Sequence, residues 1–233
     1  MSIHFPENFS ALVIGAHGAL GGAFLAHLEK DTRCGAVVAV SRSTHGGFDL
    51  QDPPSIERLA AEVSDRGPFH LIVDATGALT IAGVGPEKSL ARLAPEALHR
   101  SFAINAIGPA LLLRSLAPLL GSGDAIYAKL SARVGSISDN RKGGWYGYRA
   151  SKAALNMLLQ TAAIELQRRN PKLRVVALQP GTVRSGLSEP FQAGVPQLLE
   201  PAESVAGMMR AMMALAPSTG AHFIDYKGEE IGW

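Results

Sequence analysis

Two tyrosines and a lysine crowd into GGWYGYRASK, residues 143–152. A phenol of ordinary pKa, near 10, exchanges protons poorly at neutral pH. A nearby cation favours its ionised form. On a helix, residues four apart share a face, with Cβ atoms about 5–6 Å from each other. Tyr148 and Lys152 have that spacing, whereas Tyr146 pairs with the uncharged Ala150. The chemistry on offer is proton transfer at Tyr148, tuned by Lys152. The same spacing also occurs on solvated helices, so by itself the pair leaves a plain surface contact open.

A second chemical signal lies in VIGAHGALGG, residues 13–22, where Gly15, Gly18 and Gly21 are three apart. Glycines permit a tight strand-to-helix turn, close approach of backbone to a pyrophosphate, and close packing of helix on sheet. The free N–H groups of a helix N-terminus add an anion site. The next strand ends in Ser41 and Arg42 rather than a carboxylate. An acidic residue there would accept from a ribose 2′-hydroxyl, whereas arginine matches a 2′-phosphate. The pattern favours NADP(H) over NAD(H), although a surface arginine on a loop would look the same.

These residues need a frame. Short β-branched runs alternate with helical patterns: strands at 10–16, 35–41, 69–76, 124–131, 172–180 and 221–225, with a brief further strand at Phe48–Leu50. Helices are predicted at 19–30, 54–67, 95–120, about 145–169 and 202–215. Apolar strands separated by helices indicate a parallel sheet covered on both faces. One α/β domain over residues 1–233 follows: a Rossmann-type, doubly wound sheet of about seven strands. Ligands in such sheets bind beyond the carboxyl ends of the strands, so candidate residues are expected just after a strand.

Composition narrows the function. Hydrophobic residues make up 47%, charged residues 18%, and the net charge of +2 includes no dense basic block; RNPKLR (Arg169–Arg174) is the most basic stretch. Nucleic acid and acidic membranes are poor partners for such a chain. The longest apolar stretch, LLLRSLAPLL, is broken by Arg114 and Pro118 and reads as too short to span a bilayer. The one cysteine, Cys34, excludes an internal disulfide and suits a reducing cytoplasm. The N-terminus shows no signal-peptide pattern. Seven scattered histidines lack metal-ligand spacing, so no metal is expected.

Taken in order, GAHGALG, Asp49–Leu50, DATGA, Asn105 in FAINAIGP, YRASK and PGTVRS make the chain resemble the short-chain dehydrogenase/reductase family along essentially its whole length. GSISDN, GGWYGYRASKAALN and the ending FIDYKGEEIGW further resemble its C-factor-like and sniffer-like carbonyl reductases. The resemblance implies Tyr148 as general acid or base in hydride transfer, with Lys152 holding the nicotinamide ribose and lowering the phenol pKa. It implies a cofactor loop of Gly15, His17, Gly18, Leu20 and Gly21, with Ser41 and Arg42 at the 2′ position. Asp49 and Leu50 would flank adenine, and Ala75, Thr76 and Gly77 the adenosine ribose. Pro180, Gly181, Val183 and Ser185 would border the nicotinamide. Pro109, which lacks an N–H, lies four residues after Asn105. The freed Asn105 carbonyl can hold a relay water; a capping asparagine at a helix break fits equally well.

Two departures stand out. The family's serine three residues before the glycine of SxxG is here Ala132, counted from Gly135. Ser131 is the nominated replacement, with Ser136, Ser138 or no serine as alternatives. Asp74-Ala75-Thr76-Gly77 stands where the family has Asn-Asn-Ala-Gly. The leading expectation is an NADP-dependent enzyme acting on a small carbonyl or alcohol substrate; the alternative is a dinucleotide-binding sensor with little turnover. Residues 186–201 are expected to form a lid, with Phe191, Val195 and Leu198 suggesting an apolar pocket. By resemblance, the chain would form a homodimer or homotetramer through the helices near Asn105 and Tyr148.

Overall fold

The computed structural model describes residues 3–192 and 197–233. Among these, six strands form one sheet in the order β2-β1-β3-β4-β5-β6, with every neighbouring pair parallel. They are β1 (Phe9–Ile14), β2 (Cys34–Val40), β3 (Leu71–Asp74), β4 (Ala125–Leu130), β5 (Leu173–Gln179) and β6 (His222–Asp225). The longer helices are α1 (Ala19–Leu28), α2 (Pro53–Glu62), α3 (Pro95–Phe102), α4 (Gly108–Leu116), α5 (Tyr146–Gln167) and α6 (Pro201–Met213).

Strand alternation builds two cores. Leu12, Ile14, Ile72, Tyr127 and Val175 face Ile56 of α2, Leu112 of α4 and Leu155 and Leu159 of α5. Val13, Val73, Ala128 and Val176 face Phe24 and Leu28 of α1 and Met208 and Met212 of α6. Both faces are thus covered, as continuous apolar strands require. The chain leaves β1 for β2 on one side and reaches β3 on the other. This reversal opens a crevice beyond the carboxyl ends of β1 and β3, where such sheets bind ligands.

Phe48–Leu50 is not a strand, so among the described residues the sheet has six strands, close to the about seven expected. A parallel neighbour to β2 needs a crossover of about a dozen residues or more, and only residues 41–47 are available. The helical run from Pro95 also differs from expectation. Ala103–Ile107 forms a π-helical turn between α3 and α4, at the break that Pro109 imposes. LLLRSLAPLL is itself too short to span a bilayer, but the longer run Pro95–Leu119 that contains most of it is long and apolar enough to do so by length and composition alone. In this fold the run packs against α2 and α5 over the sheet.

Candidate active site

A cleft of about 550 Å³ lies at the topological reversal. Its walls include Gly15, His17 and Gly18 after β1, Ser41 and Arg42 after β2, Asp49 and Leu50, and Ala75, Thr76 and Gly77 after β3. Gly15 has φ +83°, and a Cβ there would lie 3.2 Å from the Ala75 carbonyl carbon. A Cβ on Gly21 would sit 2.1 Å from the Gly15 carbonyl oxygen, which ties α1 to its loop. Leu20 and Gly21 belong to the first turn of α1, behind the cleft lining. Gly18 caps α1 without a side-chain hydrogen bond, so the first-turn N–H groups are left for an anion. Arg42 is exposed at the cleft wall. Beside it the Ser43 hydroxyl lies 2.6 Å from His17 Nδ1 and 2.9 Å from the Ser41 hydroxyl.

Tyr148 and Lys152 occupy the first turns of α5, which packs over β5 and the π turn. Lys152 Nζ lies 5.7 Å from the Tyr148 ring centre and donates to the Leu130 carbonyl at 3.1 Å. Gly77 comes close on the other side: a Cβ there would be 3.5 Å from Lys152 Nζ and 3.3 Å from Asn105 Oδ1. Asn105 is wholly buried, and its side chain clamps Ala78, accepting from the N–H and donating to the carbonyl, both at 2.9 Å. The structure therefore gathers Tyr148, Lys152, Asn105 and Gly77. Pro180, Gly181, Val183 and Ser185 lie past the end of β5, where Val183 bridges Leu199 and the Pro180 carbonyl accepts from Ser204.

Ser131 departs from its expected part. Its hydroxyl donates to Asn156 Oδ1 at 2.7 Å in the buried layer between β4 and α5, rather than to Tyr148. Ser136 donates to the Gly232 carbonyl, and the Ser138 N–H donates to the Trp233 carbonyl, so both fasten the C-terminal segment. Ala132 begins a 3-10 turn at Arg133–Gly135. Electrostatics also differ from expectation. Burial pushes the Tyr148 phenol up to about 12. Lys152 is brought down to about 7, by burial first and the Lys129 charge second, with Asp74 opposing. Desolvation thus outweighs the neighbouring cation at the phenol, against the lowering that the family resemblance implies. A phenol held protonated is fit to donate.

Several site residues escaped sequence reasoning. Trp145 enters α5 in the left-handed conformation, φ +54°, after Gly143 and Gly144, which also have positive φ. Its ring packs edge-on against Tyr148 and Phe191, with centres 6.2 and 5.0 Å away. Glu87 accepts from the Gly147 N–H at 3.0 Å, placing a carboxylate at the helix N-terminus, where the dipole favours it. Beside Tyr148 is a cavity of about 230 Å³ lined by Leu79, Ile81, Val84 and Ala97 among others. Of the expected lid residues, Val195 lies outside the described residues; Phe191 is the one that meets the site. A non-glycine residue after two glycines was the available signal for Trp145, and a lysine inside the apolar run AIYAKL was the signal for Lys129.

Known proteins resemble this chain in sequence and in fold. A family model described as enoyl-(acyl carrier protein) reductase matches residues 22–216. A Rhodococcus 1-hydroxy-2-glutathionyl-2-methyl-3-butene dehydrogenase is 30% identical over 197 residues, 84% of this chain and 83% of that protein. The chain belongs to the short-chain dehydrogenase/reductase family. C-signal of Myxococcus xanthus is 38% identical to this family member over 138 residues, 58% of this chain and 78% of its own. A Burkholderia multivorans protein assigned to the same family, solved with bound NADP, superposes with TM-score 0.82 at 27% identity, covering 97% of this chain and 100% of that one. The NADPH-bound carbonyl reductase from chicken fatty liver shares the fold, with TM-score 0.83 at 23% identity over 100% of this chain and 96% of its own.

Proposed function

We propose that this oxidoreductase interconverts carbonyl and alcohol substrates using NADP(H), with Tyr148 as the proton-transfer residue. The observation that carries the reading is the placement of the Tyr148 ring 5.7 Å from Lys152 Nζ, beside the glycine-lined crevice at Gly77. The dinucleotide supplies or accepts a hydride. Gly15, Gly18 and the α1 N-terminus would hold its pyrophosphate, Thr76 and Gly77 its sugars, and Pro180–Ser185 the nicotinamide end. Arg42, Ser41, Ser43 and His17 form a donor-rich patch suited to a 2′-phosphate. That supports NADP(H) over NAD(H).

In the reductive direction Tyr148 donates its proton to the substrate oxygen, and Lys152, one turn on, returns a proton to the phenolate. Leu79, Trp145 and Phe191 supply an apolar wall that favours an uncharged carbonyl compound. No serine hydroxyl is assigned to the substrate oxygen, since Ser131 is engaged by Asn156. The sensory alternative is not favoured, because the matching family model is described as a reductase and the relative aligned over 84% of the chain is a dehydrogenase. We further propose that α4 and α5 pair two copies of the chain.

The test is Tyr148→Phe assayed with NADPH and NADH over a panel of aldehydes, ketones and quinones. Loss of kcat/KM by about 10²–10⁴-fold with NADPH affinity retained is expected for removal of a general acid. Full reductase activity in that variant would overturn the assignment.

A further inference from the structure

Two lysines and one carboxylate share the layer between the sheet and α5. Lys129 on β4 sits directly opposite Asp74 on β3 in the parallel register, and both are wholly buried. Lys129 Nζ donates to Asp74 Oδ1 at 2.9 Å, to Thr76 Oγ1 at 2.9 Å and to the Thr76 carbonyl at 2.7 Å. Those three bonds use all three ammonium protons. Asp74 Oδ1 also accepts from the Thr76 N–H, while Asp74 Oδ2 and the Tyr127 hydroxyl are buried with no hydrogen-bond partner. Lys152 has the Leu130 carbonyl, one residue beyond Lys129, and its bonds include no carboxylate.

One buried carboxylate neutralises one ammonium, and an uncompensated second charge in the same space is costly. Lys129 holds the carboxylate through better geometry, so Lys152 is the group that must yield its proton. Among the described residues, the titratable groups around Lys152 are Lys129 from β4, Asp74 from β3 and Tyr148 from its own helix; Asn105 and Gly77 bring no charge.

We propose that Lys129, fixed by Asp74 and Thr76, is a positioning residue whose charge acts with burial to set the charge on Lys152 and thereby the pH range over which Tyr148 is resupplied with a proton. The proposal rests on the reading of Tyr148 and Lys152 as the proton-transfer pair. After the phenol gives its proton to the substrate oxygen, the phenolate takes one from Lys152 Nζ, and the resulting amine regains a proton from water. A Lys152 already neutral has none to pass on, so reductase activity falls as pH rises through its titration.

The test combines the pH profile of kcat/KM with NMR titration of protein labelled at lysine Cε, the Lys152 signal being assigned by its loss in Lys152→Met. In the wild type, Lys152 is expected to titrate well below the ordinary lysine value of about 10.4. In the neutral pair Asp74→Asn/Lys129→Met the midpoint rises. In Lys129→Met alone, with the Asp74 charge left to Lys152, it rises further, by about one unit or more. The alkaline limb of activity moves with it. A wild-type midpoint near 10.4 would overturn the proposal, as would variants that lose activity at every pH without moving either midpoint. Should Lys129→Met alone not fold, the double variant, which buries no unpaired charge, decides the matter. Because the NMR midpoint is read without turnover, its failure stays distinct from an active Tyr148→Phe.

Discussion

Lys152 makes the stability of this protein depend on pH in a direction that can be worked out. Its amine loses its proton near pH 7 when folded, but near 10.5 when unfolded. Between those values the unfolded chain binds more protons, so stability rises with pH, with a slope of at most about 1.4 kcal/mol per unit for one proton. Tyr148 acts oppositely and later: its folded pKa of about 12 exceeds the ordinary 10, so stability falls as pH rises from about 10 to about 12. Lys152→Met is therefore expected to be more stable than the wild type at pH 6 to 7, with a flatter profile up to pH 9. Urea denaturation at several pH values checks this, and an unchanged slope would contradict it. The tyrosine–lysine spacing was legible in the sequence because both partners lie on one helix. The tie between Asp74 and Lys129 was not, since it depends on which strands become neighbours.

At the scale of elements, the phosphate loop and α1 are held by a contact that leaves no room for a side chain. Gly21→Ala places a Cβ 2.1 Å from the Gly15 carbonyl oxygen, which is backbone and cannot swing aside. A cost of about 1–3 kcal/mol and weaker dinucleotide binding are expected. Gly46→Ala, with nothing within 4 Å of the added methyl, is expected to change neither. Melting curves and NADPH fluorescence titration compare the two. The glycine spacing foretold this turn because its steric demand is local. Phe48–Leu50 misled, since its apolar ends suggest a strand while the chain before it is too short to lead a parallel one into place. Pro109 foretold a break near Asn105, but whether it would bend or widen the helix depended on packing. Gly108 meets Leu50 so closely there that a Cβ would lie 2.5 Å from the Leu50 carbonyl oxygen.

At the scale of the whole molecule, alternating strands and helices made the doubly wound sheet legible, while surface apolar residues showed only after folding. A cavity of about 610 Å³ runs between α4 and α5, lined by Leu113, Leu155, Leu158 and Leu159 among others. Met157 and Ile164 are exposed along the same helix. If this face pairs two chains, Met157→Glu/Leu158→Glu should sediment as a monomer where the wild type sediments as a dimer or larger. A monomeric wild type at micromolar concentration would refute the pairing.

The helix α5 carries Tyr148 in its opening turn and its outward methionine and leucine two to three turns later. One rigid rod thus joins the phenol to the surface. A neighbour pressed against its far half would steady the aim of the reacting hydroxyl, so turnover per chain should decline on dilution even with substrate and coenzyme saturating.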